Sequence, residues 1–128
     1  MAQIVLVDDD AFVLYTLRKL LHKAGHAVAC FDNGALALAH MQLHPADLLI
    51  TDVVMPGMGG LDLLAQFRTF NQNARVLVVS AAGLHMESGV REAVSVNGGD
   101  AVLVKPFDRS TFLGCVERLL GDRAQGAK

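Results

Sequence analysis

Five short runs of apolar, largely β-branched residues lie along the chain, separated by longer stretches of mixed polarity. Apolar runs without alternation are typical of strands that are buried on both faces of a parallel sheet. The predicted strands are Ile4–Val7, Ala27–Phe31, Leu48–Thr51, Val76–Val79 and Ala101–Val104. The first, third and fourth are the most purely apolar, so we expect them in the middle of the sheet and the other two at its edges.

The stretches between these strands carry apolar residues at helical spacing. In the first of them Leu17 and Leu21 share one face, Arg18 and His22 lie on the other, and Gly25 ends the helix. The predicted helices are Ala11–Ala24, Ala35–Leu43, Leu61–Thr69, Leu84–Val96 and a last helix that starts at Asp108 and turns Phe112, Leu113, Val116, Leu119 and Leu120 inward. No regular structure is predicted for the polar segment from Gly121 to Lys128.

The regular alternation of strands and helices predicts an α/β fold with right-handed crossovers and helices on both faces of the sheet. The expected architecture is a doubly wound, five-stranded parallel sheet in the flavodoxin-like order 2-1-3-4-5. Residues 1–121 form one domain in this interpretation, and residues 122–128 form a short polar tail. Ligand sites of such sheets lie beyond the carboxyl ends of the strands, so we expect the functional residues there.

Composition narrows the possible functions. The net charge of −2 and the pI near 6.2 give no sequence-wide basic surface, so we expect no direct nucleic-acid or membrane binding through bulk charge. Cys30 and Cys115 lack metal-like spacing, which favours reduced thiols over a disulfide. The chain enters its first strand within three residues, without a basic leader or a long apolar run, so we expect a soluble, cytoplasmic protein.

Charged and hydroxyl residues follow the predicted strands directly. Asp8 and Asp9 follow the first strand, Asp52 the third, Ser80 the fourth and Lys105 the fifth. Carboxylates that converge raise one another's pKa unless a cation lies between them, so we expect a divalent ion here. A few oxygen ligands without His or Cys favour Mg²⁺ over Ca²⁺ or Zn²⁺. We expect Asp9 and Asp52 to hold it, with Asp8 farther from the ion.

Asp52 is also a candidate nucleophile, because a carboxylate can attack phosphorus and form an aspartyl phosphate. That chemistry requires in-line positioning and positive charge on the transferring oxygens more than it requires an acid or a base. Lys105 can supply the charge, and Ser80 and the backbone N–H groups after Asp52 can donate hydrogen bonds. Together these residues predict a phosphoryl-binding pocket around one carboxylate.

These motifs resemble the receiver domain of two-component response regulators, of the chemotaxis-regulator type, over nearly the whole chain. The matching motifs are Val7-Asp8-Asp9, Thr51-Asp52, Met55-Pro56 with Gly59-Gly60, Ser80-Ala81 and Lys105-Pro106-Phe107. The resemblance implies Asp52 as phosphoacceptor and Asp8 and Asp9 as the acidic pair that organises Mg²⁺. It further implies the Val54 backbone carbonyl as a metal ligand, Ser80 as the switch hydroxyl, Lys105 as the phosphate partner, and a cis peptide bond before Pro106.

The chain departs from the family pattern at the switch. Receivers often carry Tyr or Phe three residues before the lysine, where this chain has Val102, so switching by a swinging ring is not expected. Reordering of the fourth helix is an alternative route for the signal. Val54 and Ala82, at positions that tune the access of water to the phosphate in the family, offer no acid or amide, which predicts a long-lived phosphate.

The leading hypothesis is therefore a signalling module rather than an enzyme. It would take a phosphoryl group from a sensor histidine kinase or a phosphotransfer protein and act on a downstream protein or an output domain. The binding surface would change around the last two helices and the fifth strand, and a homodimer through the region from Met86 to Leu120 is possible. The start at Met1 favours a stand-alone regulator or an N-terminal receiver.

Two other functions compete with this hypothesis. A phosphatase of the haloacid dehalogenase type is suggested by Asp8-x-Asp10 and Ser80, but the later acidic pair of that family is missing and Asp52 would have no role. A degenerate receiver that binds proteins constitutively is the third hypothesis. The intact set of acceptor, acidic pair, hydroxyl and lysine argues against it.

Several further residues have simple structural interpretations. Asp10 is expected to cap the first helix, and Asn33 or Asp32 the second. Gly57, Gly59 and Gly60 suit a turn rather than a dinucleotide-binding loop, because the spacing of that motif is absent. The five histidines form no ligand-like cluster in the sequence and are assigned no role: His22, His26, His40, His44 and His85.

Overall fold

A computed structural model of the chain describes residues 2–81 and 87–126. Strands and helices alternate from the first residue described to the last. The elements are β1 (Gln3–Val7), α1 (Ala11–Lys23), β2 (Ala27–Phe31), α2 (Gly34–Leu43), β3 (Leu48–Asp52), α3 (Gly60–Arg68), β4 (Arg75–Ser80), α4 (Glu87–Val96), β5 (Ala101–Val104) and α5 (Arg109–Gly126). Within these ranges, no helix has the length and apolar character needed to cross a membrane.

The five strands form one parallel sheet in the order β2-β1-β3-β4-β5, which confirms the predicted topology. β3 and β4 are almost fully buried, as is β1 after its first residue, whereas every residue of β2 and β5 is partly exposed. The purely apolar strands therefore occupy the centre, because only central strands lose water from both faces and both edges.

Side chains of each central strand alternate between two apolar layers, as the pleat of a strand requires. Leu49 of β3 belongs to the layer that contains Leu63 and Phe67 of α3. Leu48 belongs to the opposite layer, which contains Leu21 of α1 and Phe112 of α5. The sheet is thus covered by α2, α3 and α4 on one face and by α1 and α5 on the other.

The predicted N-terminal caps of the first two helices are confirmed. The Asp10 carboxylate accepts hydrogen bonds from the backbone N–H groups of Phe12 and Val13 and so caps α1. Asn33, rather than Asp32, caps α2 through the N–H of Leu36. Each cap satisfies backbone donors that have no partner inside the helix.

The prediction of no regular structure after Gly121 is wrong, because α5 continues to Gly126. One glycine inside a helix costs about 1 kcal/mol relative to alanine, and it does not end a helix when the following residues can continue the backbone hydrogen bonds. Arg123, Ala124 and Gln125 are good helix formers. The predicted start of the fourth helix, Leu84, lies outside the described residues.

Arg68, the last residue of α3, joins three parts of the fold at the end of the sheet where β4 and β5 begin. Its guanidinium donates hydrogen bonds to the carbonyl oxygens of Gly98, at 2.7 and 2.9 Å, and of Ala74, at 2.6 Å. It also pairs with the Asp100 carboxylate at 3.1 Å. Burial lowers the pKa of Arg68 below its ordinary value, and the nearby Asp100 charge opposes that shift. Arg68 therefore fixes the α4–β5 connection to α3 and β4.

We predict that Arg68→Lys lowers the free energy of unfolding by about 2 kcal/mol, because one ammonium group cannot reproduce the planar set of donors. Chemical denaturation measures the change. The matched control is Arg91→Lys on the exposed face of α4, which should change stability by less than about 0.5 kcal/mol. Equal effects of the two substitutions would contradict the assigned role of Arg68.

Candidate functional site

Three carboxylates meet at the carboxyl ends of β1 and β3. The two strands pair in parallel with Val7 opposite Thr51. Asp8, which follows β1, therefore lies beside Asp52, the last residue of β3. One oxygen from each of Asp8, Asp9 and Asp52 lies within 4.8 Å of the others. The structure thus brings together the three acidic residues that the sequence predicts at this site.

The Asp8 carboxylate is buried and held from two sides. Its Oδ1 accepts a hydrogen bond from the backbone N–H of Asp10 at 2.9 Å, and its Oδ2 lies 3.4 Å from Nζ of Lys105. Only 3% of Asp8 is exposed, whereas Asp9 next to it faces solvent. Asp8 therefore orients the Lys105 ammonium group, and Asp9 presents its carboxylate to solvent.

The Asp52 carboxylate has different partners at its two oxygens. Oδ1 accepts a hydrogen bond from the backbone N–H of Val53 at 2.8 Å, and Oδ2 lies 3.7 Å from Nζ of Lys105. Burial raises the pKa of the Asp52 carboxyl above its ordinary value. The charges of Asp8 and Asp9 act in the same direction, while the Lys105 ammonium and the Val53 N–H oppose them.

Ser80 is the last residue of β4 and Lys105 follows β5, so both lie at the same edge of the sheet as the carboxylates. The backbone N–H of Lys105 donates to the carbonyl oxygen of Ser80 at 2.8 Å, which ties the two strand ends together. Ser80 is buried, and its hydroxyl donates a long hydrogen bond of 3.5 Å to the carbonyl oxygen of Ala81. The peptide bond between Lys105 and Pro106 is cis, the isomer that the family resemblance implies.

Two residues singled out from the sequence have clear positions but no tested role. Val54 lies in the loop after β3 with its side chain 60% exposed, and its backbone carbonyl remains a predicted metal ligand. Val102 lies opposite Val78 in β5 and packs against the apolar layer that contains Val94 of α4. Ala82, the other residue predicted to govern water access, lies outside the described residues.

Thr51 and Gly60 both contact the carbonyl group of Asp52, and neither was predicted from the sequence to have a role at the site. The Thr51 hydroxyl donates to the carbonyl oxygen of Asp52 at 3.0 Å. A Cβ atom on Gly60 would overlap that same oxygen. One signal was visible in advance, since Thr51 is the polar residue in an otherwise apolar strand.

The charges of the site favour a hard divalent cation. Three carboxylates face one ammonium group, which leaves excess negative charge in a partly buried space. Asp8 makes the shorter contact with Lys105, 3.4 Å against 3.7 Å for Asp52, and Asp9 is exposed, so the oxygens of Asp9 and Asp52 are the better placed for an ion. Carboxylate oxygens with room for water suit Mg²⁺. The donor set therefore fits the predicted ion.

Comparison with known proteins agrees with this geometry. A family model described as response regulator receiver domain matches residues 4–117. The response regulator receiver protein CpdR of Brucella abortus is 34% identical, over 94% of this chain and 98% of that protein. The DNA-binding transcriptional regulator NtrC of Rhizobium meliloti is 33% identical over 94% of this chain, which covers 24% of NtrC. The structure of Vibrio cholerae chemotaxis protein CheY4 superimposes with a TM-score of 0.82, 28% identity and coverage of 93% and 98% of the two chains.

We predict that Asp52→Asn raises the free energy of unfolding at pH 7 in the presence of a metal chelator. A carboxyl whose pKa is higher in the folded state costs stability once it ionises. That cost is fully present above the folded-state pKa and vanishes below the unfolded-state pKa of about 4. Denaturant titrations of both proteins at several pH values should therefore converge as the pH falls towards 3.

Asp62→Asn is the control for this experiment, because Asp62 is an exposed acid in the first turn of α3. The substitution removes an exposed negative charge that is favourable near a helix N-terminus, so it should not stabilise the protein at pH 7. A wild type that is as stable as Asp52→Asn at pH 7 would show that neither burial nor the neighbouring carboxylates destabilise the ionised Asp52 side chain.

Proposed function

The chain belongs to the family of response regulator receiver domains of two-component systems, and from this premise we propose that Asp52 is the phosphoacceptor of a phosphorelay. The observation that carries the proposal is the position of Lys105 Nζ, 3.4 Å from Asp8 and 3.7 Å from Asp52. One carboxylate thus lies next to a cation and to an acidic pair at the end of a central strand. Residues 1–121 would constitute the working domain.

In the proposed reaction an Asp52 oxygen attacks the phosphorus of a phosphohistidine. The new O–P bond forms as the N–P bond breaks, and the imidazole nitrogen keeps the electron pair of that bond. Oδ2 is the oxygen that faces Lys105, whose ammonium would balance charge on the transferring oxygens. The buried Ser80 hydroxyl, with only a long hydrogen bond of its own, would turn to the phosphoryl group.

Mg²⁺ is the cofactor of the proposed reaction, and when bound it supplies positive charge to the transferring phosphoryl oxygens. Asp9 and Asp52 would hold the ion, Asp8 would complete the acidic pair, and the Val54 carbonyl would add a neutral oxygen. The convergence of the three carboxylates supports this assignment. Hydrolysis of the product should be slow, because the exposed Val54 side chain cannot orient a water molecule.

The phosphodonor is proposed to be the phosphohistidine of a sensor kinase or a phosphotransfer protein. Beside the site, α1 and the connection from β5 to α5 enclose a largely apolar groove of about 800 Å³. Phe12 and Tyr15 line it with 75% and 53% of their surface exposed, and Lys105 lies at its end. A partner helix seated on these rings would bring its phosphohistidine towards Asp52.

The output is proposed to run through α4, β5 and α5 to a downstream protein or an output domain, with a homodimer through the same region as one form. Met86, where the predicted surface begins, lies outside the described residues. Val102 has no aromatic ring that could swing inward, but its side chain packs against the apolar layer that contains Val94 of α4. Movement of α4 against β5 is therefore the proposed route by which phosphorylation reaches the binding surface. The protein is proposed to act in the cytoplasm.

The competing phosphatase hypothesis gains no support from the site. Its motif would need Asp10 as a second catalytic acid, but the Asp10 carboxylate accepts the hydrogen bonds that cap α1. The hypothesis of a degenerate receiver predicts no phosphorylation at all. Turnover of a generic phosphate ester would favour the phosphatase, and a protein that cannot be phosphorylated would favour the degenerate receiver.

We predict that acetyl phosphate with Mg²⁺ adds one phosphoryl group to the wild type and none to Asp52→Asn. The amide keeps the shape of the side chain but removes the nucleophilic oxygen. Intact-protein mass spectrometry, with and without a chelator, measures the addition. Equal labelling of both proteins, or labelling of neither, would contradict the acceptor assignment.

We further predict that Lys105→Gln slows labelling by acetyl phosphate at least about tenfold, because the charge on the transferring oxygens is no longer balanced. The matched control is Lys19→Gln, which removes a lysine from the same groove near the Tyr15 ring. Labelling of the control should stay within about twofold of the wild type. A Lys105→Gln protein that labels as fast as its control would remove Lys105 from the mechanism.

A further inference from the structure

Thr51 is a fully buried polar residue whose hydroxyl has no part in the reaction as proposed above. It lies in β3 between Val7 of β1 and Val78 of β4, where a valine would fill the same space. Its hydroxyl donates a hydrogen bond of 3.0 Å to the carbonyl oxygen of Asp52. The acceptor residue is thus held by its own neighbour in the strand.

Gly60, the first residue of α3, contacts the same carbonyl group from another side. A Cβ atom at this position would overlap the Asp52 carbonyl oxygen and lie 2.8 Å from the Asp52 carbonyl carbon. Its backbone N–H also donates to the carbonyl oxygen of Val53 at 2.8 Å. The start of α3 can approach β3 this closely only because the residue has no side chain.

The Asp52 carbonyl and the Val53 N–H belong to one planar peptide group. At its nitrogen end this group donates to Oδ1 of Asp52 at 2.8 Å and to the carbonyl oxygen of Val79 at 3.1 Å. Rotation of the plane at the oxygen end therefore turns the N–H at the other end. The contacts of Thr51 and Gly60 consequently determine where the Asp52 carboxylate is held.

We propose that Thr51 and Gly60 are positioning residues for phosphoryl transfer, acting together on the Asp52–Val53 peptide group. They fix its carbonyl oxygen, the Val53 N–H then holds Oδ1, and Oδ2 is left facing Lys105. The inference rests on the proposed function, because it concerns the same acceptor. In-line attack is sensitive to displacements of about 1 Å, which can cost about a hundredfold in rate.

The test compares Thr51→Val, which removes the hydroxyl at nearly constant shape, with Thr51→Ser, which keeps it. Thr69→Val is the matched control, because the Thr69 hydroxyl likewise donates to a backbone carbonyl, that of Gln66, at the far end of α3. Each protein is incubated with acetyl phosphate at saturating Mg²⁺, and the labelling rate is measured by mass spectrometry. Thermal unfolding of each variant separates a loss of fold from a loss of rate.

We expect Thr51→Val to label about tenfold more slowly than the wild type at equal Mg²⁺ saturation, and Thr51→Ser and Thr69→Val to label within about twofold of it. A folded Thr51→Val protein that labels at the wild-type rate would overturn the proposal. So would an equal loss in Thr51→Ser, because the hydroxyl would then not be the cause.

Gly60→Ala and Gly59→Ala provide a second comparison at neighbouring positions. A Cβ on Gly59 meets its nearest neighbour, the Val53 carbonyl oxygen, at 3.4 Å, which is ordinary contact. Labelling should therefore fall more in Gly60→Ala than in Gly59→Ala, by at least about tenfold. Equal rates in two folded proteins would contradict the role of Gly60.

The backbone amide resonance of Val53 gives a readout that does not require phosphorylation. Its proton shift reports the hydrogen bond to the Asp52 carboxylate, so we expect a change in Thr51→Val and Gly60→Ala but not in Thr69→Val. If no protein is labelled, the acceptor function fails while this shift still tests the positioning role. An unchanged Val53 resonance in Thr51→Val would overturn that role.

Discussion

The crowding of three carboxylates around a single ammonium group is the constraint on which the rest of the site depends. One oxygen from each of Asp8, Asp9 and Asp52 lies within 4.8 Å of the others, and the burial of Asp8 and the partial burial of Asp52 limit screening by water. Lys105 offsets part of the repulsion, while burial, assisted by the charges of Asp8 and Asp9, raises the pKa of Asp52. Such a site favours a cation, which would relieve a charge imbalance that folding creates.

The fold holds Asp52 and Lys105 through different contacts. Asp52 ends a central strand, and its peptide group has fixed contacts to Thr51, Gly60 and Val79. Lys105 follows an edge strand and is tied to Ser80 through the backbone. At the opposite end of β5, Arg68 fixes the α4–β5 connection. The contacts of its peptide group hold Asp52 in the centre of the sheet, whereas Lys105 follows a strand at its edge.

Most of the strands and helices could be predicted from the sequence. A strand that is buried on both faces is a run of apolar residues, which can be recognised without knowing which strands lie beside it. The strand order followed from the relative purity of those runs, and the site from the polar residues at strand ends such as Asp52 and Lys105. The extension of α5 beyond Gly121 was missed because the polar segment at the end of the chain was predicted to be an unstructured tail. The roles of Gly60 and Arg68 depend on distant backbone atoms that no local pattern encodes.

Identification of the modified residue decides whether Asp52 is the phosphoacceptor. The protein is treated with acetyl phosphate and Mg²⁺, the acyl phosphate is reduced with borohydride to convert the modified aspartate into homoserine, and peptides are sequenced by mass spectrometry. We predict that Asp52 is the residue reduced to homoserine and that Asp8 and Asp9 are unchanged. Reduction at Asp8 or Asp9, or a borohydride-resistant phosphate on Ser80, would contradict it.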